Sequence, residues 1–269
     1  MATPRVAYDL ALFLQLNEEY REKPIHPNPP PIRDAAKRLE TKQRTARNIA
    51  KDLSRFVDIR RKVVLDFGCG RGDLDVVLAE HLDCSVTGVD VQQYTEWADL
   101  GHPKVRRLVV DLSAEHATEP FARQFDVIVS NSVLEHVKHP YRALESMKTV
   151  LKPGGIAWLK ANLYRGPLAS HRYREVYFPW PHLLFTDEVF RQFYEHMGRK
   201  PTTASWVNKL THLHYHDYFQ RIGFDVLAET FSKKPFDEAF YQRFEDILGR
   251  YPRSDLERDF INVVICPRS

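Results

Sequence analysis

The sequence has few of the features that mark secreted, zinc-binding or membrane-embedded proteins. Its three cysteines, Cys69, Cys84 and Cys266, lie far apart in 269 residues, which argues against a disulfide framework and against a zinc site. No apolar run approaches the roughly 18 residues that a membrane span needs, and the opening residues lead into an amphipathic pattern instead of a signal peptide. We therefore expect a cytoplasmic protein without a membrane span.

The excess of positive over negative charge is also small, since the net charge is only +3. Residues 1–62 nevertheless hold 14 Lys and Arg against 8 Asp and Glu. Such a segment could meet nucleic acid through a phosphate-binding face, or it could be a solvated helical face. The candidate phosphate contacts are Arg33, Lys37, Arg38, Arg44 and Arg47. Charged runs usually solvate a surface, so we expect no nucleic-acid partner.

Hydrophobic periodicity predicts an α/β protein in which strands alternate with helices. Two helices are predicted first, over 6–20 and 34–56, with Asp34 as the N-cap of the second. Strands then follow over 62–67, 85–89, 105–110, 125–130 and 156–159, and helices over 74–81 and 141–151 separate several of them. Strands in this rhythm form a mostly parallel sheet covered on both faces.

The aromatic-rich stretch 161–205 interrupts this rhythm and is predicted to be an insertion on the substrate side. After it, helices are predicted over 215–222 and 236–248, and strands over 224–229 and 260–266. The expected domain organisation is therefore an N-terminal helical extension over 1–60 and one catalytic domain over 61–269 that carries the insertion.

A glycine-rich turn follows the first predicted strand. Gly68, Gly70 and Gly72 provide three positions without a Cβ where the chain can turn sharply and let a ligand touch the backbone. Dinucleotide-binding turns space their glycines as Gly-x-Gly-x-x-Gly, whereas here the third glycine comes one residue early. The spacing therefore disfavours a nicotinamide dehydrogenase.

Three acidic residues follow the first three strands. Asp66 lies directly before the glycine turn, where it would repel a pyrophosphate and attract the ammonium of a methionine-like ligand. Asp90 ends the second strand, where a carboxylate can accept hydrogen bonds from ribose hydroxyls. Asp111 ends the third strand, where it could accept from an adenine amine or simply cap a helix.

The order of these elements resembles the successive motifs of class I S-adenosylmethionine-dependent methyltransferases. The resemblance covers about residues 61–160 and rests on five segments: Val63 to Gly72, Val89-Asp90, Asp111-Leu112, Phe125 to His136 and Leu151 to Gly155. It implies a Rossmann-like seven-stranded sheet with an antiparallel last strand, and S-adenosylmethionine as the cofactor. Residues Leu210 to Phe224 further resemble a substrate-contacting helix of the type 11 methyltransferase subfamily.

The resemblance also implies a set of cofactor-binding residues. The glycine turn would surround the methionine end, Asp90 the ribose and Asp111 the adenine, while the end of the fourth strand would line the cofactor. The full set comprises Asp66, Gly68, Cys69, Gly70, Gly72, Asp90, Val91, Asp111, Leu112, Ser130 and Asn131.

The end of the fourth strand bears on the methyl acceptor. Enzymes of this class that methylate amide or ring nitrogens commonly carry an Asn- or Asp-Pro-Pro-aromatic motif there, whereas this chain has Ser130-Asn131-Ser132-Val133. This departure favours a hydroxyl of a small molecule, with a sugar or sugar-containing intermediate as one candidate. A hydroxyl needs a base, and the candidates are His136, His171 and His214.

The insertion mixes aromatic faces with cationic donors, which suits an acceptor-binding surface but equally suits a lid over the core. The candidate acceptor contacts are Tyr164, Arg165, Tyr173, Trp180 and His182. Alternate histidines at 212, 214 and 216 would share one face of a strand, but a helical pattern follows them, so we predict no metal site. A nucleic-acid or nitrogen methyltransferase and a cofactor-binding protein without turnover remain alternatives.

Overall fold

A computed structural model describes residues 8–27, 32, 34–200 and 206–268 of the chain. The chain divides into two units, each assembled from separated segments. Unit 1 comprises Met1–Pro30, Asn162–Thr211 and Phe231–Phe260, and unit 2 comprises Pro31–Ala161, His212–Thr230 and Ile261–Ser269. The two N-terminal helices consequently belong to different units.

Unit 2 is built around a seven-stranded sheet. The strands are β1 (Val63–Phe67), β2 (Ser85–Asp90), β3 (Val105–Val109), β4 (Phe125–Asn131), β5 (Leu151–Asn162), β6 (Phe224–Lys233) and β7 (Arg258–Pro267). Their order in the sheet is β3-β2-β1-β4-β5-β7-β6.

The first five strands are parallel: β1 pairs with β2 and β4, β2 with β3, and β4 with β5. β7 runs antiparallel to its neighbours, because the residue after β5 bonds to the start of β7 and Arg268 at the end of β7 donates to Gly223 before β6. This confirms the predicted Rossmann-like class.

The helices are α1 (Leu10–Glu19), α2 (Ala35–Leu53), α3 (Asp73–Leu82), α4 (Pro140–Val150), α5 (Pro181–Leu184), α6 (Asp187–His196), α7 (His212–Ile222), α8 (Glu238–Arg243), α9 (Glu245–Leu248) and α10 (Arg253–Glu257). Several of them begin at an aspartate N-cap. Asp34 caps α2 by accepting a hydrogen bond from the Lys37 amide, as predicted, and Asp9 and Asp237 cap α1 and α8 in the same way.

The core of unit 2 lies between the sheet and the two helices α2 and α3. Ile49 and Leu53 of α2 are fully buried in one cluster with strand residues such as Val64. At the edge of this cluster the Trp158 indole donates to the Asp52 carboxylate at 2.9 Å, which satisfies the polar atom of a nearly buried ring. The apolar positions of α2 therefore fix this helix against the sheet.

The fifth strand was predicted over 156–159, after the segment Lys152 to Gly155. In the structure β5 already begins at Leu151, but its pairing with β4 jumps from Phe125–Leu151 to Val127–Ile156. The three extra residues on β5 therefore bulge outward, and Gly154 accommodates this with a φ of 74°. The glycine and proline break the pairing locally without ending the strand.

The core of unit 1 is unusually aromatic. Phe13 of α1 is fully buried, and its ring centroid lies 4.8–5.4 Å from those of Phe178, Phe185, Phe190 and Phe193. The aromatic residues of the predicted insertion thus build a second hydrophobic core. The described part of the insertion forms α5 and α6, while residues 201–205 lie outside the described residues.

Two sequence-based expectations need correction. The helix predicted over 236–248 is two short helices, α8 and α9, which are separated at Phe244, whose φ of −124° is not helical. The helix predicted over 215–222 begins three residues earlier, at His212, so the alternate histidines lie within α7. The rings of His212 and His216 are therefore neighbours at 6.3 Å, whereas His214 is exposed on another side of the helix.

None of the helices in the described ranges combines the length and apolar character that crossing a bilayer requires.

Replacing Phe13 with Ala should lower the free energy of unfolding by about 3–5 kcal/mol, because a fully buried ring that contacts four others would leave a cavity. Urea unfolding monitored by tryptophan fluorescence measures this loss. Phe56, which is 39% exposed, provides the control, since Phe56→Ala should cost less than about 1 kcal/mol. Equal losses for the two variants would contradict the assigned core.

Candidate cofactor and active site

A cavity of about 710 Å³ opens in unit 2 at the carboxyl ends of β1, β2 and β4. Such crevices are the usual ligand sites of open parallel sheets, because the loops that follow neighbouring strands diverge there. The glycine turn forms one wall, the loop after β2 and the loop after β3 form others, and residues 131–139 close the remaining side.

The glycine turn is held against β2 by backbone hydrogen bonds. The amides of Gly68 and Cys69 both donate to the Val89 carbonyl, at 2.8 and 3.0 Å. Gly68 has a φ of 79°, and a Cβ at this position would overlap the Val133 side chain. Glycine is therefore required here for both conformation and space, and the turn can approach the loop after β4 closely.

Side chains hydrogen-bond both backbone polar groups of Gly70. Its amide donates to Asp90 Oδ2 at 2.9 Å, and its carbonyl accepts from the Trp97 indole at 2.8 Å. Among the described residues, no atom lies within 4 Å of the place where a Gly70 Cβ would stand. The backbone edge of the turn is thus rigid and open to a ligand, and Trp97 is a contributor that the sequence analysis missed.

Asp90 and Asp111 both line the cavity. Asp90 is half-buried at the end of β2, and its Oδ1 receives only a long 3.4 Å bond from the Gln92 amide. Asp111 Oδ1 accepts from the Ser113 amide at 2.9 Å and from the Ser113 hydroxyl at 2.6 Å. No described residue donates to Asp111 Oδ2, so each carboxylate keeps capacity to accept from a ligand.

The wall after β4 contributes the basic side chains of the cavity lining. Ser132 has a φ of 62° and donates its amide to the Lys160 carbonyl, which turns the chain into a short 3₁₀ helix over Leu134–His136. His136, Lys138 and His139 then line the cavity together with Asn131. His136 is therefore the one catalytic candidate from the sequence that the structure brings to this cavity.

Four of the predicted cofactor residues lie behind the cavity wall: Asp66, Cys69, Gly72 and Ser130 do not line it. Asp66 and Ser130 are 3% and 0% exposed. They belong to β1 and β4, whose side chains alternate between faces, so a position at the strand end can face the core. The predicted residues that line the cavity are Gly68, Gly70, Asp90, Val91, Asp111, Leu112 and Asn131.

Asp66 belongs to a buried charge cluster beneath the turn. Burial raises its pKa to about 6. Burial and the neighbouring Asp66 also raise the pKa of Asp75, on α3, well above its usual range. Arg107 of β3 donates to Asp75 Oδ2 at 2.8 Å, and its guanidinium is 7% exposed. The two carboxyl groups can therefore share one proton, which leaves the cluster close to neutral.

Arg107 also organises the end of the turn. Its terminal nitrogens donate to the Leu100 carbonyl at 2.9 Å and to the Gly72 carbonyl at 3.1 Å. Gly72 has a φ of 80°, and a Cβ on it would overlap the Arg107 guanidinium. The third glycine is thus needed for the close passage of this side chain, and it makes no contact with the cavity.

The other two candidate bases are not among the residues that line this cavity. His171 belongs to unit 1, and His214 is exposed on α7.

The candidate acceptor contacts all belong to unit 1. Trp180 is 1% exposed, and its indole donates to the Leu256 carbonyl at 3.1 Å, so this ring is part of the core. Arg165 pairs with Asp255 at 2.6 Å, and the Tyr173 ring packs against His26. Tyr164 and His182 line a separate, smaller cavity within unit 1.

The lining of the larger cavity fits S-adenosylmethionine. Its volume lies within the range of about 300–1,000 Å³ that is typical of small-molecule sites. Gly68 and Gly70 present the open backbone edge for the methionine end, Asp90 can accept from ribose hydroxyls, and Leu112 and Asp111 supply an apolar contact and an acceptor for adenine. These assignments for the individual residues remain predictions.

Comparison with known proteins gives the same picture. A profile of the methyltransferase-domain family matches residues 40–229. Ubiquinone biosynthesis O-methyltransferases of Coxiella burnetii and Pseudomonas paraeruginosa are 32% and 34% identical over 107 and 111 residues, which are 39% and 40% of this chain and 45% and 47% of the relatives. The chain thus spans about half the length of the curated relatives it matches.

Among solved structures, a putative S-adenosylmethionine-dependent methyltransferase from Listeria monocytogenes superimposes with a TM-score of 0.55. The match covers 84% of this chain and 99% of that one at 16% identity, which shows a shared fold.

Replacing Gly72 with Ala should lower the free energy of unfolding by about 3 kcal/mol, because the new Cβ would displace Arg107 and strain a left-handed residue. Gly70→Ala is the matched control. Gly70 also has a positive φ, but its Cβ would meet nothing, so the loss should be about 1 kcal/mol. Chemical denaturation of both variants measures the difference, and equal losses would rule out the close passage of Arg107.

The raised pKa of Asp66 predicts a pH effect on stability. The folded pKa of Asp66, about 6, exceeds the ordinary value of 3.8, so the folded protein holds a proton that the unfolded chain releases. The stability that this proton contributes should therefore be lost as the pH rises from about 4 to about 6. Asp66→Asn removes the titrating carboxyl group and should flatten this part of the profile.

Thermal unfolding from pH 4 to pH 7 tests this prediction. Asp73→Asn serves as the control, because Asp73 is also buried but pairs with Arg38. The control should keep the slope of the unsubstituted protein. An unchanged slope in Asp66→Asn would show that the raised pKa of Asp66 does not set this part of the profile.

Proposed function

Because this chain belongs to the class I S-adenosylmethionine-dependent methyltransferases, we propose that it transfers the methyl group of S-adenosylmethionine to a hydroxyl group of a small molecule. The observation that carries the proposal is the cavity of unit 2, where the glycine turn and two carboxylates face one wall that bears His136. The O-methyltransferase relatives support oxygen as the methylated atom. They give no support to a sugar, so the proposal stops at the hydroxyl group.

Methyl transfer from a sulfonium is an in-line displacement, and the bound cofactor supplies the activated methyl group. Held along the backbone of Gly68 and Gly70, the cofactor would supply its methyl group to the acceptor oxygen and would keep the electron pair of the broken carbon–sulfur bond on sulfur. The protein must hold the two reactants in line and exclude water. The rigid edge of the turn, fixed by Asp90 and Trp97, serves this positioning.

The acceptor hydroxyl must also lose its proton. An imidazole is the side chain best suited to take a proton near neutral pH, and His136 lines the cavity. We assign it the role of general base. His171 and His214 do not line this cavity and are not assigned a role in this step.

A nucleic-acid acceptor is less well supported. Of the five basic residues considered for a phosphate-binding face, Arg33 lies outside the described residues, and Arg38 pairs with the buried carboxylate of Asp73 at 3.2 Å. Lys37, Arg44 and Arg47 remain exposed on α2, which is compatible with a solvated helical face. A small-molecule acceptor and a cytoplasmic location remain predictions.

Cofactor binding is tested by calorimetric titration with S-adenosylmethionine and S-adenosylhomocysteine. Asp90→Ala should weaken both affinities about tenfold or more, since it removes a ligand contact and frees the Gly70 amide. Asp99→Ala is the control, because Asp99 is an exposed acid of the same loop that does not line the cavity. Tight binding of NAD, or unchanged affinity in Asp90→Ala, would contradict the assignment.

Turnover is tested by release of S-adenosylhomocysteine with a panel of small phenols, alcohols and amines. Activity should appear with a hydroxyl acceptor, and His136→Gln should lower kcat about 100-fold or more without changing the affinity for S-adenosylmethionine. His139→Gln, at the same cavity, should have little effect. Activity with amines alone would overturn the hydroxyl proposal, and cofactor binding without any turnover would favour a silent binding protein.

A further inference from the structure

Unit 1 contains a cavity of its own, with a volume of about 160 Å³. An engineered protein cavity of about 150 Å³ is known to hold benzene, so this space is the size of one aromatic ring. Tyr164, Phe190 and Trp206 contribute ring surfaces to its lining. A planar apolar ring is therefore the occupant that its size and surface favour.

His182 gives the lining a specific polar requirement. Its Nε2 lies 2.6 Å from the Tyr164 carbonyl, which can only accept, so Nε2 carries the hydrogen. Burial lowers the pKa of His182 to about 4, which keeps the ring neutral at pH 7. Nδ1 is then a lone-pair acceptor, and it is buried without a hydrogen-bond partner in the described part of the chain.

An unpaired buried acceptor is costly and uncommon in proteins, because it has lost water without gaining a partner. A ligand that donates a hydrogen bond would remove this penalty. A hydroxyl group is the simplest donor that an aromatic ring can carry, and its oxygen can approach a nitrogen lone pair in the plane of the imidazole. His182 therefore favours a hydroxylated ring over a plain one.

Two cations make the lining attractive to an anion. The Arg172 guanidinium lies 4.4 Å from the Phe190 ring centroid, and the Lys209 ammonium lies 5.8 Å from that of Tyr164. Neither cation forms an ion pair with an acid in the described ranges, and Asp187 is the acidic residue of the lining. The lining thus carries a net positive charge, which suits a carboxylate.

From these contacts we propose that the cavity of unit 1 is a binding site for a single aromatic ring that carries a hydroxyl group and a carboxylate. The hydroxyl donates to His182 Nδ1, the ring lies among Tyr164, Phe190 and Trp206, and the carboxylate meets Arg172 and Lys209. The lining of this site shares no residue with that of the cofactor cavity, and the proposal does not depend on the proposed methyl transfer.

Calorimetry with the full chain and three matched probes tests the proposal. 4-Hydroxybenzoate carries both groups, benzoate lacks the hydroxyl, and phenol lacks the carboxylate. 4-Hydroxybenzoate should bind about tenfold more tightly than either single-group probe, which is the order expected for one hydrogen bond or one charge contact. Equal affinities, or no binding of 4-hydroxybenzoate, would overturn the proposal.

Two variants test the hydroxyl contact and the carboxylate contact one at a time. His182→Gln places an amide N–H where Nε2 stood and can keep the bond to Tyr164, but it offers no acceptor in place of Nδ1. It should reduce the affinity for 4-hydroxybenzoate to that for benzoate. Lys209 has a φ of 61°, a conformation that Asn tolerates. Lys209→Asn should therefore weaken the binding of 4-hydroxybenzoate and of benzoate about fivefold and leave the affinity for phenol unchanged. Full 4-hydroxybenzoate affinity in His182→Gln would exclude the hydroxyl contact.

Discussion

The buried contact between Arg107 and Asp75 is the constraint on which the cofactor cavity depends. One guanidinium joins β3 to α3 and, through the carbonyls of Gly72 and Leu100, to the turn and the loop after β2. A buried cation is tolerable only when its donors are satisfied, and here the Asp75 carboxylate and two carbonyls accept from them. The geometry of the glycine turn therefore depends on side chains that do not line the cavity.

The fold was largely predictable, because its signals are local and repeated. Buried parallel strands appear as continuous apolar runs, and Asp34 marks the start of α2 both in sequence and in structure. The errors arose where a short segment departs from the regular pattern around it. Phe244 interrupts a helical pattern without a proline or glycine, and Lys152 to Gly155 reads as a turn although pairing on both sides makes it a bulge.

The sequence predicted the acidic residues at strand ends that line the cavity. It did not predict the side chains that hold the glycine turn in place. The positions after β2 and β3 follow from the strand pattern, so Asp90 and Asp111 could be selected directly. Trp97 and Arg107 come from segments without a motif, and only the folded chain brings their side chains to Gly70 and Gly72. Asp66 was predicted as a cofactor contact from its place before the turn, but periodicity does not reveal that it is buried beside another carboxyl group.

Unit 1 shows why aromatic composition alone does not distinguish a core from a ligand site. Both need ring faces, so Trp180 and His182 looked alike in the sequence. The structure separates them by their polar atoms. The Trp180 indole donates to the Leu256 carbonyl and needs nothing more, whereas His182 has satisfied Nε2 and left Nδ1 unpaired. A buried ring with every polar atom bonded stabilises the fold, and one with an unpaired acceptor beside a ring-sized cavity is suited to bind a donor.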